Sequence, residues 1–209
     1  MNSRLADDLR SAPAFTASRL LVISTGAASA VNLPFWLRWL SNAYPALEFR
    51  TVLTRSALRF LTVDAVALFG RCDVTMDEWQ SGPDALHVEL ARWPEVIVVH
   101  PATLSFVGRF AQGLADTPAM LALQCTASLI GLAPALPPGG VDGHAYRMHR
   151  TALDARPNVV VADPEPGLSA STGSDDAAVA ASLSSLLRLL EQRRQVVTNR
   201  NGAQPAGAR

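Results

Sequence analysis

The run Val96-Ile-Val-Val constrains the fold of this 209-residue chain more than any other feature. It holds four apolar residues without a polar interruption, and Pro94 and Pro101 bound it. A strand with one solvent-exposed face alternates apolar and polar residues, whereas a continuous run of apolar residues is typical of a strand buried on both faces. The run therefore predicts a parallel sheet covered by helices on both sides.

Five further short apolar runs are predicted strands, at residues 20–23, 49–53, 120–123, 129–132 and 159–161. Helical spacing of apolar residues lies between them, as in Pro34–Leu40 and Thr103–Leu114. A final helix is expected from a cap at Ser174, with Val179 and four leucines up to Leu190 on one face. Strands that alternate with helices predict an α/β fold, a Rossmann-like three-layer α/β/α domain with a parallel sheet of about six strands.

Three segments are predicted: a flexible leader over 1–17, one domain over 18–194 and a flexible tail over 195–209. The first residues are polar and include acids, which does not fit a signal peptide. No apolar run reaches the roughly 18 residues that a membrane helix needs. We therefore expect a cytoplasmic protein with no membrane association.

Composition excludes several classes of function. The formal net charge is zero, which argues against nucleic acid or an anionic membrane as a partner. All 18 basic residues are Arg, so Schiff-base chemistry and a P-loop lysine are excluded. The two cysteines, Cys72 and Cys125, form no CxxC pair, so we expect no metal site and no disulfide framework.

Small and hydroxyl residues follow the first two predicted strands. The first loop reads Ser24-Thr-Gly-Ala-Ala-Ser, and Thr54-Arg-Ser follows the second strand. Backbone N–H groups in such loops can approach a phosphate, and a helix N-terminus favours its charge. There is no GxGxxG fingerprint, and each loop taken alone is equally compatible with a tight turn or a simple helix cap.

The segment from His100 to Asp116 carries the long pattern P-A-[ST]-x-x-x-[hydrophobic]-x-[KR]-[hydrophobic]-A-x-G-[hydrophobic]-x-D. This pattern resembles the flavin-binding segment of the homo-oligomeric flavin-containing cysteine decarboxylases. That family includes the epidermin-type peptide cysteine decarboxylases, phosphopantothenoylcysteine decarboxylase and the flavin prenyltransferases. The resemblance covers roughly residues 18–190.

The resemblance implies a flavin cofactor, FMN or FAD, between which the sequence does not decide. It assigns ten residues to the flavin site: Thr25, Gly26, Ala27, Ser29, Thr54, Ser56, Pro101, Ala102, Thr103 and Ser105. Ser105 is a departure, because the family usually carries Asn at this position.

A lone histidine such as His87 is more often structural than catalytic. However, His87 lies about fourteen residues before Pro101 and precedes an aliphatic residue, which is the spacing and setting of the family's catalytic histidine. The resemblance therefore implies that His87 is the general base. His100, at the end of a predicted strand, either faces the site or closes the strand.

The resemblance also implies a substrate-binding segment, here Pro134, Pro137, Tyr146, Arg147, Met148 and His149. Pro137 stands where the family has an Asn that engages the substrate carboxylate. We expect Arg147 to take over that contact, and residues 134–149 to form a loop that closes over the substrate.

The activity implied by the resemblance is oxidative decarboxylation of the C-terminal cysteine of a ribosomally synthesised precursor peptide. The cysteine would lose a hydride to the flavin, and the resulting thioaldehyde would lose CO₂ to leave an enethiol for aminovinyl-cysteine ring formation. The family forms trimers, often grouped into dodecamers, so a homo-oligomer is expected. The alternatives are a phosphopantothenoylcysteine decarboxylase or flavin prenyltransferase, and a non-catalytic flavin-binding subunit.

Overall fold

The computed structural model describes residues 12–82, 85–169 and 172–202, the last six of these without their side chains. Six strands form one parallel sheet in the order β3-β2-β1-β4-β5-β6. Their bounds are β1 Arg19–Ser24, β2 Glu48–Leu53, β3 Val74–Met76, β4 Val96–Thr103, β5 Leu129–Ala135 and β6 Val159–Val161. The predicted parallel sheet of about six strands is confirmed.

Helices cover both faces of the sheet. In the described part of the chain they are α1 Leu33–Ala43, α2 Val63–Gly70, α3 Leu86–Arg92, α4 Leu104–Ala111, α5 Pro118–Cys125, α6 His144–Asp154 and α7 Leu183–Gly202. Alternate residues of β1 point to opposite faces: Leu20 and Val22 pack with α1, α2 and α7, whereas Leu21 and Ile23 pack with α3 to α6. This gives the predicted three-layer arrangement.

One predicted strand is a helix, and one strand of the parallel sheet was not predicted. Met120 and Leu123 lie on α5, which begins after Thr117, whose hydroxyl accepts a hydrogen bond from the Met120 amide, and has Pro118 in its first turn. A short apolar run cannot by itself separate a buried strand from a buried helix, and this cap and proline decide for the helix. The missing strand is β3, which pairs only with β2 at the sheet edge and therefore lacks a continuous apolar pattern.

The final helix begins later than predicted. Its cap is Ser182, whose hydroxyl accepts from the Ser185 amide, and not Ser174. Val179 belongs instead to an antiparallel hairpin of β7 Glu165–Gly167 and β8 Ala177–Val179. Helix α7 also continues to Gly202, past the predicted domain boundary at 194.

The predicted leader is partly fixed to the domain. Residues 1–11 lie outside the described residues, as does 203–209 of the predicted tail. In contrast, Thr16 donates hydrogen bonds from its amide and hydroxyl to the buried carboxylate of Glu191 on α7, and Ala17 is buried. A buried carboxylate needs such donors, which explains why this end of the leader packs against the domain.

Candidate functional site

The strand order reverses between β1 and β4, and parallel α/β sheets bind ligands at such a point. Thr25, directly after β1, joins the two strands there. Its hydroxyl donates to the carbonyl of Pro101 at 2.8 Å and accepts from the amide of Thr103 at 2.9 Å. A threonine at this position thus holds the first loop against the end of β4.

The second loop closes against the first. The Thr54 hydroxyl donates to the Ser24 carbonyl at 3.1 Å and lies 3.1 Å from the Ser56 hydroxyl. A Cβ on Gly26 would lie 2.6 Å from Cβ of Ser56 and 2.7 Å from its carbonyl oxygen, so only glycine fits. The two small-residue loops are therefore packed in direct contact.

The first of these loops, backed by the second, forms one wall of a cleft of about 730 Å³, which we call the switch-point cleft. Its lining residues are Gly26, Ala27, Ala28, Ser29, Asn32, Phe60, Thr103, Leu104, Ser105, Ala135, Leu136, Pro137, Pro138, Leu168, Ser169, Ala177, Ala178 and Val179. None of these described residues is ionisable. The cleft therefore offers backbone, hydroxyl, amide and apolar groups, but no charge and no proton acceptor of its own.

The structure brings the ten predicted flavin residues together at this point of the sheet. Five of them line the cleft: Gly26, Ala27, Ser29, Thr103 and Ser105. The others lie directly behind or beside it, and Thr25 and Ala102 are fully buried. The Ser29 hydroxyl is buried and has no hydrogen-bond partner in the structure, which is costly unless a ligand supplies one. Hydroxyls on one wall and apolar side chains on the other fit a flavin with its ribityl phosphate.

Sequence reasoning missed the opposite wall. The β7–β8 hairpin supplies Ala177, Ala178 and Val179, and it is tied to the end of β5 because Leu136 and Ala178 exchange backbone hydrogen bonds. Strands of three residues carry no reliable sequence signal. Asn32, which lies just before α1 and caps no backbone N–H, was also missed.

The predicted substrate-binding residues are not brought together. Pro137 lines the cleft, and Pro134 lies within β5. Tyr146 is buried in the core, while Arg147 and Met148 are exposed on α6 and do not line the cleft. His149 packs against α4, where a Cβ on Gly108 would lie 3.0 Å from its Nε2.

The predicted loop over 134–149 is correspondingly shorter. Residues 134–135 belong to β5 and residues from 144 onward to α6, so only the segment between them is irregular. Within that segment a turn links the Gly140 amide to the Pro137 carbonyl at 2.8 Å, and Gly139 has a φ of 73°. Helical spacing of Tyr146 and Leu153, both buried, places this half of the predicted loop on the protein core.

His87 is the second residue of α3 and is half-buried. It does not line the switch-point cleft. It lines a separate groove of about 560 Å³ between α3 and α5, with Cys125 among the other lining residues. Its Nδ1 is buried without a hydrogen-bond partner, and its ring makes an edge contact with Trp79, with centroids 5.6 Å apart.

His100 lies inside β4 and is buried, so it neither ends the strand nor lines the cleft. Its Nε2 donates to the Ala181 carbonyl at 2.9 Å, and its ring packs against Trp36. Burial lowers the pKa of His100 from 6.5 to about 4. The ring is therefore neutral near neutral pH and structural in role.

Two further properties concern the described residues as a whole. They contain no group of three or more His, Cys, Asp or Glu side chains arranged to hold a metal ion. None of the helices within them combines the length and the hydropathy that a membrane-spanning helix needs.

Comparisons with known proteins agree with this geometry. The flavoprotein family model matches residues 11–193, and the chain belongs to this family. The cypemycin cysteine dehydrogenase (decarboxylating) of a Streptomyces species is 33% identical over 159 residues, covering 75% of this chain and 82% of the relative. The crystal structure of the cypemycin decarboxylase superposes with a TM-score of 0.72 at 29% identity, covering 89% of this chain and 99% of that one.

A second solved structure, an FMN-dependent cysteine decarboxylase from thioviridamide biosynthesis, is 31% identical. It superposes with a TM-score of 0.64 and covers 70% of this chain and 90% of its own. Cysteine decarboxylases that act in peptide biosynthesis are thus among the chain's relatives by both sequence and fold. The predicted family and the predicted class of enzyme, a flavin-dependent cysteine decarboxylase, are confirmed.

Proposed function

We propose that this chain oxidatively decarboxylates the C-terminal cysteine of a ribosomally synthesised precursor peptide, with FMN as its flavin. The observation that carries the proposal is the switch-point cleft, in which the small-residue loops and the apolar hairpin wall face each other at the reversal of strand order. FMN is preferred over FAD because a relative matched over most of its length is named as FMN-dependent.

The uncharged lining of the cleft favours a peptide over a phosphorylated substrate. A phosphopantothenoyl or prenyl phosphate would be a second anion beside the flavin phosphate, and no cationic side chain among the described lining residues would pair with it. Arg147 and Arg150 on α6 are the cations that such a phosphate could use. Arg147 does not line the cleft, and Arg150 is engaged by Asp154 and Asp163 on the protein surface. Both phosphate-dependent alternatives lose support from this arrangement, and retention of His87 counts against a non-catalytic subunit.

Each wall of the cleft has a task in this proposal. The loop from Gly26 to Ser29, with Thr54 and Ser56 beside it, would hold the ribityl phosphate through backbone N–H and hydroxyl groups. The apolar side chains of Leu136 and Val179 would exclude water from the reacting cysteine. When bound, the flavin supplies the redox chemistry by accepting a hydride from the cysteine.

The base must reach the cleft from elsewhere, because the cleft contains no ionisable side chain and His87 lines a different groove. We propose a homo-oligomer, either a trimer or a dodecamer built from four trimers, in which His87 of one copy completes the cleft of its neighbour. In a cyclic assembly each copy can donate one such group and receive one. His87 would then take the thiol proton of the substrate.

The terminal carboxylate of the peptide needs a hydrogen-bond donor in the same cleft. Asn32 provides the one side-chain amide among the described lining residues, and its amide caps no helix. It lies one residue before α1, where the helix N-terminus favours negative charge. We propose that Asn32 makes the contact with the substrate carboxylate that the family assigns to an Asn at the position of Pro137. A substitution of Arg147, which does not line the cleft, then serves as the control.

The direct test is mass spectrometry of a synthetic peptide that ends in cysteine, incubated with the purified flavin-loaded protein. Loss of CO₂ and two hydrogens makes the product about 46 Da lighter, as expected for an oxidative decarboxylation that delivers two electrons to a flavin. The same peptide amidated at its C-terminus should not react. A loss of CO₂ alone, or no reaction with any cysteine-ended peptide, would contradict the proposal.

A further inference from the structure

The contact between Trp79 and His87 has no role in the proposed chemistry so far. Catalytic imidazoles are commonly oriented by a hydrogen bond in which the second ring N–H donates to a carboxylate or a carbonyl oxygen. Nδ1 of His87 is buried and has no such partner among the residues that the structure describes. Another contact must therefore hold the ring, and the contact recorded for the His87 ring is the edge-to-face packing on Trp79, at 5.6 Å between centroids and 61° between planes.

Hydrogen bonds fix both the indole ring of Trp79 and the backbone that leads to it. Its indole Nε1–H donates to the carbonyl of Asp116 at 2.9 Å. Asp116 lies between α4 and α5, and its carboxylate is paired with Arg109 of α4. The indole is thereby attached to the α4–α5 connection, which is an element separate from the helix that carries His87.

The backbone that leads to Trp79 is anchored as well. The amide of Asp77 donates to the Leu53 carbonyl at the end of β2, and its carboxylate accepts from the Ala119 amide at 2.9 Å. Asp77 is buried, so these bonds are shielded from water. A rigid turn follows β3 and presents the indole to His87.

The exposure of Trp79 is unusual for a ring with so many contacts. Its surface is 54% exposed although its N–H is hydrogen-bonded and its ring packs on an imidazole. A tryptophan that serves only core packing would be buried. The partly exposed indole instead lies against a half-buried histidine.

We infer that Trp79 is a positioning residue for the reaction: it holds the His87 imidazole in the orientation that meets the substrate thiol. The inference rests on the proposed function, because it assigns Trp79 an effect that acts through His87. Edge-to-face aromatic pairs prefer defined geometries, so removal of the indole should release the imidazole rather than unfold the site.

The experiment is a double-mutant cycle on the flavin-loaded protein with a cysteine-ended peptide. Trp79→Ala should lower kcat by roughly 10- to 100-fold, the scale of loss from a misplaced catalytic group, with KM and flavin content unchanged. Trp79→Phe keeps an aromatic ring beside His87 and should restore most of kcat. The double variant Trp79→Ala/His87→Asn should be no slower than His87→Asn alone, because residues that act as a unit are non-additive.

Trp93→Ala is the matched control, because Trp93 caps the other end of α3 and packs under Arg50. It tests whether loosening α3 is enough to lower kcat, and its kcat should stay near that of the wild type. Equal losses for Trp79→Ala and Trp93→Ala, additive losses in the double variant, or a Trp79→Ala enzyme with normal kcat would each overturn the inference and leave the proposed function intact. Normal turnover by His87→Asn would overturn the role of His87, and that of Trp79 with it.

Discussion

The switch-point cleft and the surroundings of His87 both follow the carboxyl ends of strands, yet they are built from opposite kinds of side chain. The cleft has no ionisable group among its described lining residues, and its polar atoms belong to the backbone, hydroxyls and one amide. The His87 ring instead packs on the Trp79 indole, which is tied to Asp116 and thereby to its ion pair with Arg109. The proposed function assigns flavin and peptide binding to the first region and proton transfer to the second.

The proposed function gives a physical reason for this difference. A flavin site needs close backbone approach, which favours glycine, alanine and serine. A base needs a half-exposed imidazole with a defined orientation. We therefore propose that the two requirements are met on different surfaces, which a neighbouring copy brings together.

The largest expected effect is on the proton-moving side. His87→Asn should lower kcat by on the order of 10² to 10⁴-fold, because a positioned base contributes that much. Flavin content, measured by absorption after gel filtration, should not change, since His87 does not line the cleft. A variant that loses its flavin together with its activity would show that His87 contributes to flavin binding, and would contradict the assignment of the two tasks to two regions.

The second prediction tests whether the cleft of one subunit works with His87 of a neighbouring subunit. Gly26→Val should abolish flavin binding, because any Cβ there meets Ser56 at 2.6 Å. Subunits of Gly26→Val and His87→Asn, each inactive alone, should regain about a quarter of wild-type activity when co-assembled in equal amounts, since a quarter of the interfaces pair an intact cleft with an intact His87. If the mixture stays inactive while mixed oligomers form, the base acts within one copy.

A smaller effect sharpens the description of the cleft itself. Asn32→Ala should raise the peptide KM by roughly 10- to 100-fold, the value of one hydrogen bond to a charged group, about 1.5–3 kcal/mol. Arg147→Ala should leave KM unchanged, because Arg147 is exposed on α6 and does not line the cleft. The opposite ranking of the two variants would return carboxylate recognition to Arg147.

The smallest effect on activity, and a distinct one on stability, is expected from His100. Its pKa in the folded state is about 4, below its ordinary value of 6.5, so the unfolded state binds a proton first as pH falls. The stability of the fold is thus fully present above about pH 6.5 and declines by up to about 3 kcal/mol as pH falls to about 4. Urea unfolding at intervals between pH 7 and 4 measures this decline.

His100→Leu removes the titrating ring and should flatten that part of the pH profile, although it also loses the hydrogen bond to Ala181. Its kcat at neutral pH, in the temperature range where it is folded, should remain near that of the wild type. An unchanged slope in the variant would assign the pH dependence to other groups. A large loss of kcat would make His100 a part of the chemistry.

The sequence by itself determined the architecture and one wall of the cleft. The uninterrupted apolar run of β4 required burial on both faces, and thereby a parallel sheet between helices. Loops of small residues after β1 and β2 had to converge at the carboxyl edge, because parallel strands end there together. The pattern after His100 resembles the flavin-binding segment of the cysteine decarboxylases, and it thereby predicted the class of enzyme.

Only the tertiary structure decided the rest, because those decisions depend on long-range contacts. The run Met120–Leu123 is apolar in either a strand or a helix, and the cap at Thr117 and packing on α3 select the helix. Tyr146 and His149 were expected to bind substrate, but the core and Gly108 take up their side chains. His87 and His100 are the same residue type close in sequence, and burial alone separates a neutral, structural imidazole in β4 from a half-exposed one held by Trp79. Burial is a property of the folded chain as a whole, which local residue patterns do not contain.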